Sequence, residues 1–305
     1  MSNTPNTETS ATANSPLLSH EETDRLLAKI KQQLAENTFD PQDTRLIQQM
    51  IECLGDTRGL MRLEFAEALG KVGKPAVDLL IQALLNNPNV VVRRAAGKTL
   101  TLIEDPKAVP HLIYSLLHDE DTVVQGSAIG ALARTGEAAV PPLLEVLASP
   151  DSSESNKGHA AWALAFIGSK AEEKLYQAYN SDSPEVRGAV VGAIAKVAEE
   201  NRQERALNLL VQSLNDDDAN VRSEAAAVLG NLKYQQAIPK LIELLNHPAG
   251  QTRKSAALSL MKSGDRTTIV PLQTALERES DEDIKKAIAL AVSLLERQSD
   301  DDDWG

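Results

Sequence analysis

Eight near-copies of one short pattern, set 30 to 35 residues apart, leave this chain few ways to fold. Each copy carries a basic or amide side chain one turn into an apolar helical pattern: Arg62, Arg93, Gln125, Lys157, Arg187, Arg222, Arg253 and Lys285. The steps between them are 31, 32, 32, 30, 35, 31 and 32 residues. Self-similarity at such a period marks stacked supersecondary units, each too small to bury its own apolar face. The core is then continuous between neighbours, and the 305 residues read as one solenoid rather than two globules.

The pattern is plainest at its centre, from Asn156 to Gly168. Ala160, Ala161, Leu164 and Ile167 share one helical face, small enough for a second helix to come close, and Gly168 suits the stop. Four residues before most markers stands a side chain able to accept from open helical N–H groups: Asn89, Asp121, Ser153, Ser183, Asp218 and Asp281. A second helix follows in each unit, opening on Ala108-Val109-Pro110, Ala139-Val140-Pro141 or Ala237-Ile238-Pro239. Proline is tolerated in that first turn because the N–H it lacks would have no partner there. The spacing therefore predicts an all-α solenoid of eight short repeats over residues 56–297. Before it, Ser19 and Glu22 form a capping box, and residues 18–55 read as an N-terminal helical cap. Residues 1–17, poor in apolar bulk, are expected to be disordered, and residues 298–305 to form a solvated acidic tail. Two irregularities stand out. The 35-residue step predicts a longer polar link, loop or hinge, at Glu199 to Arg205, and the fourth second helix, Ala171 to Tyr179, lacks the Val-Pro entry.

Composition narrows the partners. A net charge of −13 disfavours a nucleic-acid backbone, which needs a basic surface. No apolar run reaches the roughly 18 residues of a membrane span, and the first residues lack the pattern of a signal peptide. One cysteine, Cys53, allows no internal disulfide and suits a reducing cytoplasm; its place on an apolar face reads as a buried small hydrophobe. The five histidines show no metal-ligand spacing, and no catalytic constellation is visible, so a catalytic residue is not assigned.

The wording Asp-x-x-Val-Arg-x-x-Ala-Ala with Leu-Gly, followed by Ala-Val-Pro-x-Leu, resembles the short HEAT repeat. Asp105 to Pro110 and Lys157 to Trp162 resemble the phycobilisome-lyase branch of those repeats, found in cyanobacteria. The resemblance implies an interaction protein whose client is a phycobiliprotein subunit or related component. Members of that family attach a bilin to a cysteine or help detach one. In attachment the nucleophile is the acceptor's own cysteine, so the lyase need only hold and orient the tetrapyrrole. The resemblance implies no intrinsic cofactor, a transient phycobilin, and for attaching members a HEAT-repeat partner subunit; it leaves open whether this chain is itself an enzyme. The alternative is a non-enzymatic adaptor that binds no bilin, such as the partner of an iron–sulfur assembly protein known in the same branch. A further HEAT family, deoxyhypusine hydroxylase, holds di-iron with several His-Glu pairs; this sequence has one, His20-Glu21.

Two columns on the first helices are less ordinary. One position past each marker stand Leu63, Arg94, Gly126, Gly158, Gly188, Ser223, Lys254 and Lys286. One turn on stand Glu67, Lys98, Gly130, Trp162, Gly192, Ala227, Leu258 and Leu290. Glycine inside a helix costs about 0.5–1 kcal/mol relative to alanine, so five glycines around one indole call for a reason. Either they let Trp162 lie flat across neighbouring helices or let those helices approach, or they clear a docking patch with Trp162 as anchor and His159 beside it. The charged occupants of the column favour an exposed indole. The arginine ladder reads as structural, pairing with acids between repeats. Trp304, at the end of an acid run, is a candidate recognition residue. The first helices are expected on the outer, convex side and the second on the inner one.

Overall fold

In the computed structural model, residues 18–201 and 203–302 are described, side chains as far as residue 297. No strand occurs among them, and they form two compact units divided between Asp105 and Pro106. Among the described residues no helix is long and apolar enough to cross a membrane. The Met1–Leu17 segment and Trp304 lie outside the described residues.

The first unit opens with α1 (His20–Ala35) and α2 (Thr44–Glu52). Ser19 and Glu22 close the expected capping box. The unit continues through α3 (Gly59–Val72), α4 (Val77–Asn86) and α5 (Val90–Ile103). Ile30, Ile47, Met50, Ile51, Phe65, Leu69, Leu80 and Leu84 fill its interior. Cys53 is buried there as expected, and burial first, then Asp56 and Glu52, push its thiol up to about 12.

The second unit alternates longer and shorter helices: α6 (Val109–His118), α7 (Thr122–Thr135), α8 (Val140–Ala148), α9 (Glu154–Ile167), α10 (Glu172–Ala178) and α11 (Pro184–Asn201). It continues with α12 (Glu204–Ser213), α13 (Ala219–Asn231), α14 (Ile238–Leu244), α15 (Gly250–Ser263), α16 (Ile269–Arg278) and α17 (Glu282–Asp302). Asn89, Asp121, Ser153, Ser183, Asp218 and Asp281 all accept from the first N–H groups of their helices. Pro110, Pro141 and Pro239 sit in the first turns of α6, α8 and α14, each after a short 3₁₀ turn. The eighth marker, Lys285, lies on α17, whose backbone runs on to Asp302, past the boundary the acid run suggested at 297.

The marker side chains share one structural job. Each guanidinium or amide reaches back to the carbonyl six residues before it: Arg62 to Asp56, Arg93 to Asn87, Gln125 to Asp119, Arg187 to Ser181, Arg222 to Asp216 and Arg253 to His247. These carbonyls lie in the loop after the preceding helix, where intrahelical donors have run out. The remaining fork nitrogens of three arginines reach the next repeat. Arg187 grips Asp216 at 2.8 and 2.9 Å, Arg253 grips Glu279 at 2.7 and 2.9 Å, and Arg222 donates to Thr252. The ladder is thus structural, as its geometry of a planar fork meeting a carboxylate predicts.

Two expectations are corrected. The extra residues of the 35-residue step do not make a loop; they lengthen α11 to 18 residues. Beyond it Gln203 is tied to α10, donating to Glu172 and accepting from Tyr176. Tyr176 is buried under the guanidinium of Arg205 at 4.0 Å, and Tyr179 donates to the Leu209 carbonyl, which explains the two tyrosines of that irregular repeat. The second correction concerns the faces. Within the second unit α7, α9, α11, α13, α15 and α17 pack each against the next along their lengths, whereas α8, α10, α12, α14 and α16 hardly meet. The layer whose members sit closer is the inside of a bend. The small-residue first helices therefore line the inner side, because alanine and glycine allow a close approach that leucine-rich second helices do not.

Candidate functional site

The inner layer of the second unit carries a groove of about 770 Å³ running over α9, α11 and α13. Its floor is made by what α11 lacks. Gly188 and Gly192 present bare backbone one turn apart, flanked by Ala189 and Ala195. Gly158, Ala161 and Ala165 form the α9 wall; Asn220, Glu224 and Val228 form the α13 wall.

The glycine columns divide on inspection. A Cβ at Gly126, Gly130 or Gly158 would meet no atom within 4 Å, so packing requires none of these three to be glycine. At Gly188 a Cβ would touch Val221 at an ordinary 3.9 Å, and at Gly192 it would come within 3.2 Å of the Glu224 carboxylate. Gly230 is the contrasting case: a Cβ there would lie 2.8–3.0 Å from the side chain and backbone of Ser259, so this glycine serves close packing. Gly158, Gly188 and Gly192 come together around the groove, whereas Gly126 and Gly130 lie on α7 beside it and do not line it.

Trp162 is 52% exposed, in keeping with its column, where Glu67 and Lys98 are exposed as well. It does not lie across the glycines of neighbouring helices. It stacks instead on Phe166 of its own helix, ring centroids 5.5 Å apart and planes 28° from parallel, with Phe166 49% exposed. The indole stands on the α9 crest, one position round from Ala161, and does not line the groove. His159 is half-buried near the start of that crest, and its Nδ1 is shut away from solvent without a hydrogen-bond partner among the described residues. Phe166 went unread in the sequence although it lies one turn from Trp162, the spacing at which helical side chains meet.

Charge in the groove is mixed and mostly committed. Lys196 pairs with Glu199 at 2.6 Å, Lys157 lies 3.9 Å from Glu154, Asp218 caps α13 and Glu185 accepts from Ser183 at 2.7 Å. Glu224, also unread in the sequence, is the exception. It reaches solvent at the rim, yet surrounding protein raises its pKa by desolvation, and no charged neighbour contributes. No cluster of three or more His, Cys, Asp or Glu able to hold a metal ion occurs among the described residues. The His20-Glu21 pair is divided, His20 lying 3.3 Å from Thr57 Oγ1 and Glu21 pairing with Arg25.

Comparison with known proteins adds the following. The family model of HEAT repeats matches residues 77–154, 140–227 and 207–293, and that of the PBS lyase HEAT-like repeat matches residues 61–86. The chain is 40% identical over 279 residues to the bilin biosynthesis protein MpeU of Synechococcus sp. (strain WH8020), covering 91% of this chain and 94% of that one. It is 30% identical to the bilin biosynthesis protein PecE of Nostoc sp. over 51% of this chain and 63% of the relative. Over 25% of this chain and 31% of the relative it is 39% identical to the phycocyanobilin lyase subunit alpha of Picosynechococcus sp.. Among solved structures, Kap121p bound to Nup53p aligns with 93% of this chain and 38% of its own, TM-score 0.59 at 13% identity, a likeness of fold alone.

Proposed function

The chain belongs to the HEAT-repeat family of bilin-lyase-like proteins, and from that membership we propose that it holds a phycobilin for transfer to, or removal from, a phycobiliprotein client. The observation that carries this reading is the groove over α9, α11 and α13. Its 770 Å³ lies within the range of about 300–1,000 Å³ usual for small-molecule sites. Its floor of glycine and alanine projects little side chain into the groove, which leaves room for the rings of an open-chain tetrapyrrole. Lys157 on one helix and Lys196 on the next stand where they can exchange their carboxylate partners for the two propionates of a bilin.

The chain's own residues hold and orient in this reading; the sulfur comes from elsewhere. Cys53, buried and with its pKa at about 12, supplies almost no thiolate at neutral pH. The nucleophile in an attachment step is then the client's cysteine, and the protein accelerates the step by fixing the two reactants together. The stacked Trp162 and Phe166 on the crest beside the groove form the client anchor. Exposed aromatics on ground cleared at Gly126, Gly130 and Gly158 give a partner rigid apolar area at little entropic cost. A cytoplasmic setting accords with a single reduced, buried thiol.

The test is colour. Phycocyanobilin mixed with the purified chain should give a shifted and intensified absorption band. Gly192→Trp, which fills the floor, should abolish the band while leaving the helical circular dichroism unchanged. A wild-type chain that leaves the bilin spectrum untouched, alone and with a phycobiliprotein subunit present, refutes the bilin reading and favours a bilin-free adaptor.

A further inference from the structure

Five carboxylates line the groove: Glu154, Glu185, Glu199, Asp218 and Glu224. The first four are occupied by Lys157, Ser183, Lys196 and the N–H groups of α13. Glu224 has neither a hydrogen bond nor an ion pair among the described residues, and its carboxylate reaches from the α13 wall toward the bare backbone of Gly192. The charged groups that share the groove with it are Glu154 and Lys157 from α9, Glu185, Lys196 and Glu199 from α11, and Asp218 at the start of its own helix; α15 contributes none. Among the five carboxylates described in the groove, it is the one left without a partner.

We propose that Glu224 is a proton donor to the bound ligand, whose chemical class, taken from the function proposed above, is an open-chain tetrapyrrole. The carboxyl O–H breaks, an N–H forms on the imine-type ring nitrogen of the tetrapyrrole, and a carboxylate–tetrapyrrolium pair remains. No oxidant or reductant takes part. Charge separation inside a partly desolvated groove is tolerable because the two charges formed face each other. The surroundings suit the step, since desolvation by the neighbouring protein raises the pKa of this carboxyl above its ordinary value even though part of the side chain meets solvent. A Cβ at Gly192 would come within 3.2 Å of a Glu224 oxygen and would displace that end of the side chain by a few tenths of an ångström.

The experiment compares the full-length wild type, Glu224→Gln and Gly192→Ala, each mixed with phycocyanobilin and titrated from roughly pH 5 to 9, around the pKa values at issue. Bound to wild type, the bilin should show the red-shifted, intensified band of its protonated form. Glu224→Gln keeps the shape and removes the acid. It should still bind, with the apparent pKa of the bound chromophore lowered by at least about one unit, a tenfold change. Gly192→Ala leaves the acid intact but pushes it aside, and should fall between the two. A Glu224→Gln protein that binds bilin with the wild-type band and pH profile overturns this inference and leaves the bilin-holding function standing. A wild-type protein that binds no bilin overturns that function and this inference with it.

Discussion

The glycines of the inner layer can be tested by adding a single carbon at each. Gly126, Gly130 and Gly158 lie inside α7 and α9, where glycine is about 0.5–1 kcal/mol worse than alanine because it loses more backbone freedom on folding. A new Cβ at any of the three meets open space within 4 Å, so no packing penalty offsets that gain. Each substitution to alanine should therefore stabilise by about 0.5–1 kcal/mol, and the triple variant by roughly 1.5–3 kcal/mol if the sites are independent. At about 2–4 °C per kcal/mol for a unit of this size, the triple variant should melt some 3–12 °C higher. Gly230→Ala is the internal control. Its Cβ would press on the Ser259 backbone at 2.9–3.0 Å, which cannot rotate away, so it should destabilise by about 1–3 kcal/mol. Urea unfolding followed by far-ultraviolet circular dichroism reads the five variants against the wild type. If Gly130→Ala and Gly158→Ala lose stability as Gly230→Ala does, these glycines exist for packing and the cleared surface is an accident. If they gain it, the chain carries a stability cost at positions where no neighbour requires it, as expected of ground kept open for a partner.

Trp162→Ala should lower stability by no more than about 2 kcal/mol, since half of the indole is already in water, against roughly 3–5 kcal/mol for a buried tryptophan. The same change should weaken client binding by about 2 kcal/mol, near thirtyfold, read by titration calorimetry; a loss of stability in the core range would end the anchor reading. The Arg253–Glu279 pair should be visible in acid. Hydrogen bonding from Arg253, then from the Asp281 and Ser280 amides, lowers the Glu279 pKa from 4.5 to about 2, so its stabilisation is complete above 4.5 and is lost as pH falls toward 2. Glu279→Gln should flatten the stability profile in that window, and an unchanged profile would mean that the pair contributes nothing. Cys53 should resist thiol reagents in the native protein and react only in denaturant; fast native labelling would contradict its burial.

What the sequence determined by itself was everything that repeats. The period, the six capping side chains and the arginine ladder follow from interactions within a repeat or between adjacent ones, where sequence spacing fixes spatial spacing. The exposure of Trp162 was legible for a related reason, since two occupants of its column, Glu67 and Lys98, are charged. Tertiary structure decided what depends on how the repeats stack. Which layer lies inside the bend follows from the separations that small and large side chains allow, which no single repeat records. The extra residues after Glu199 could have formed a loop, but extending α11 satisfies their backbone internally, and Tyr176 and Gln203 hold the end in place. Glu224 looked like any surface acid. Burial by the surrounding protein raises its pKa, and the groove that gives that carboxyl a purpose exists only once three repeats are side by side.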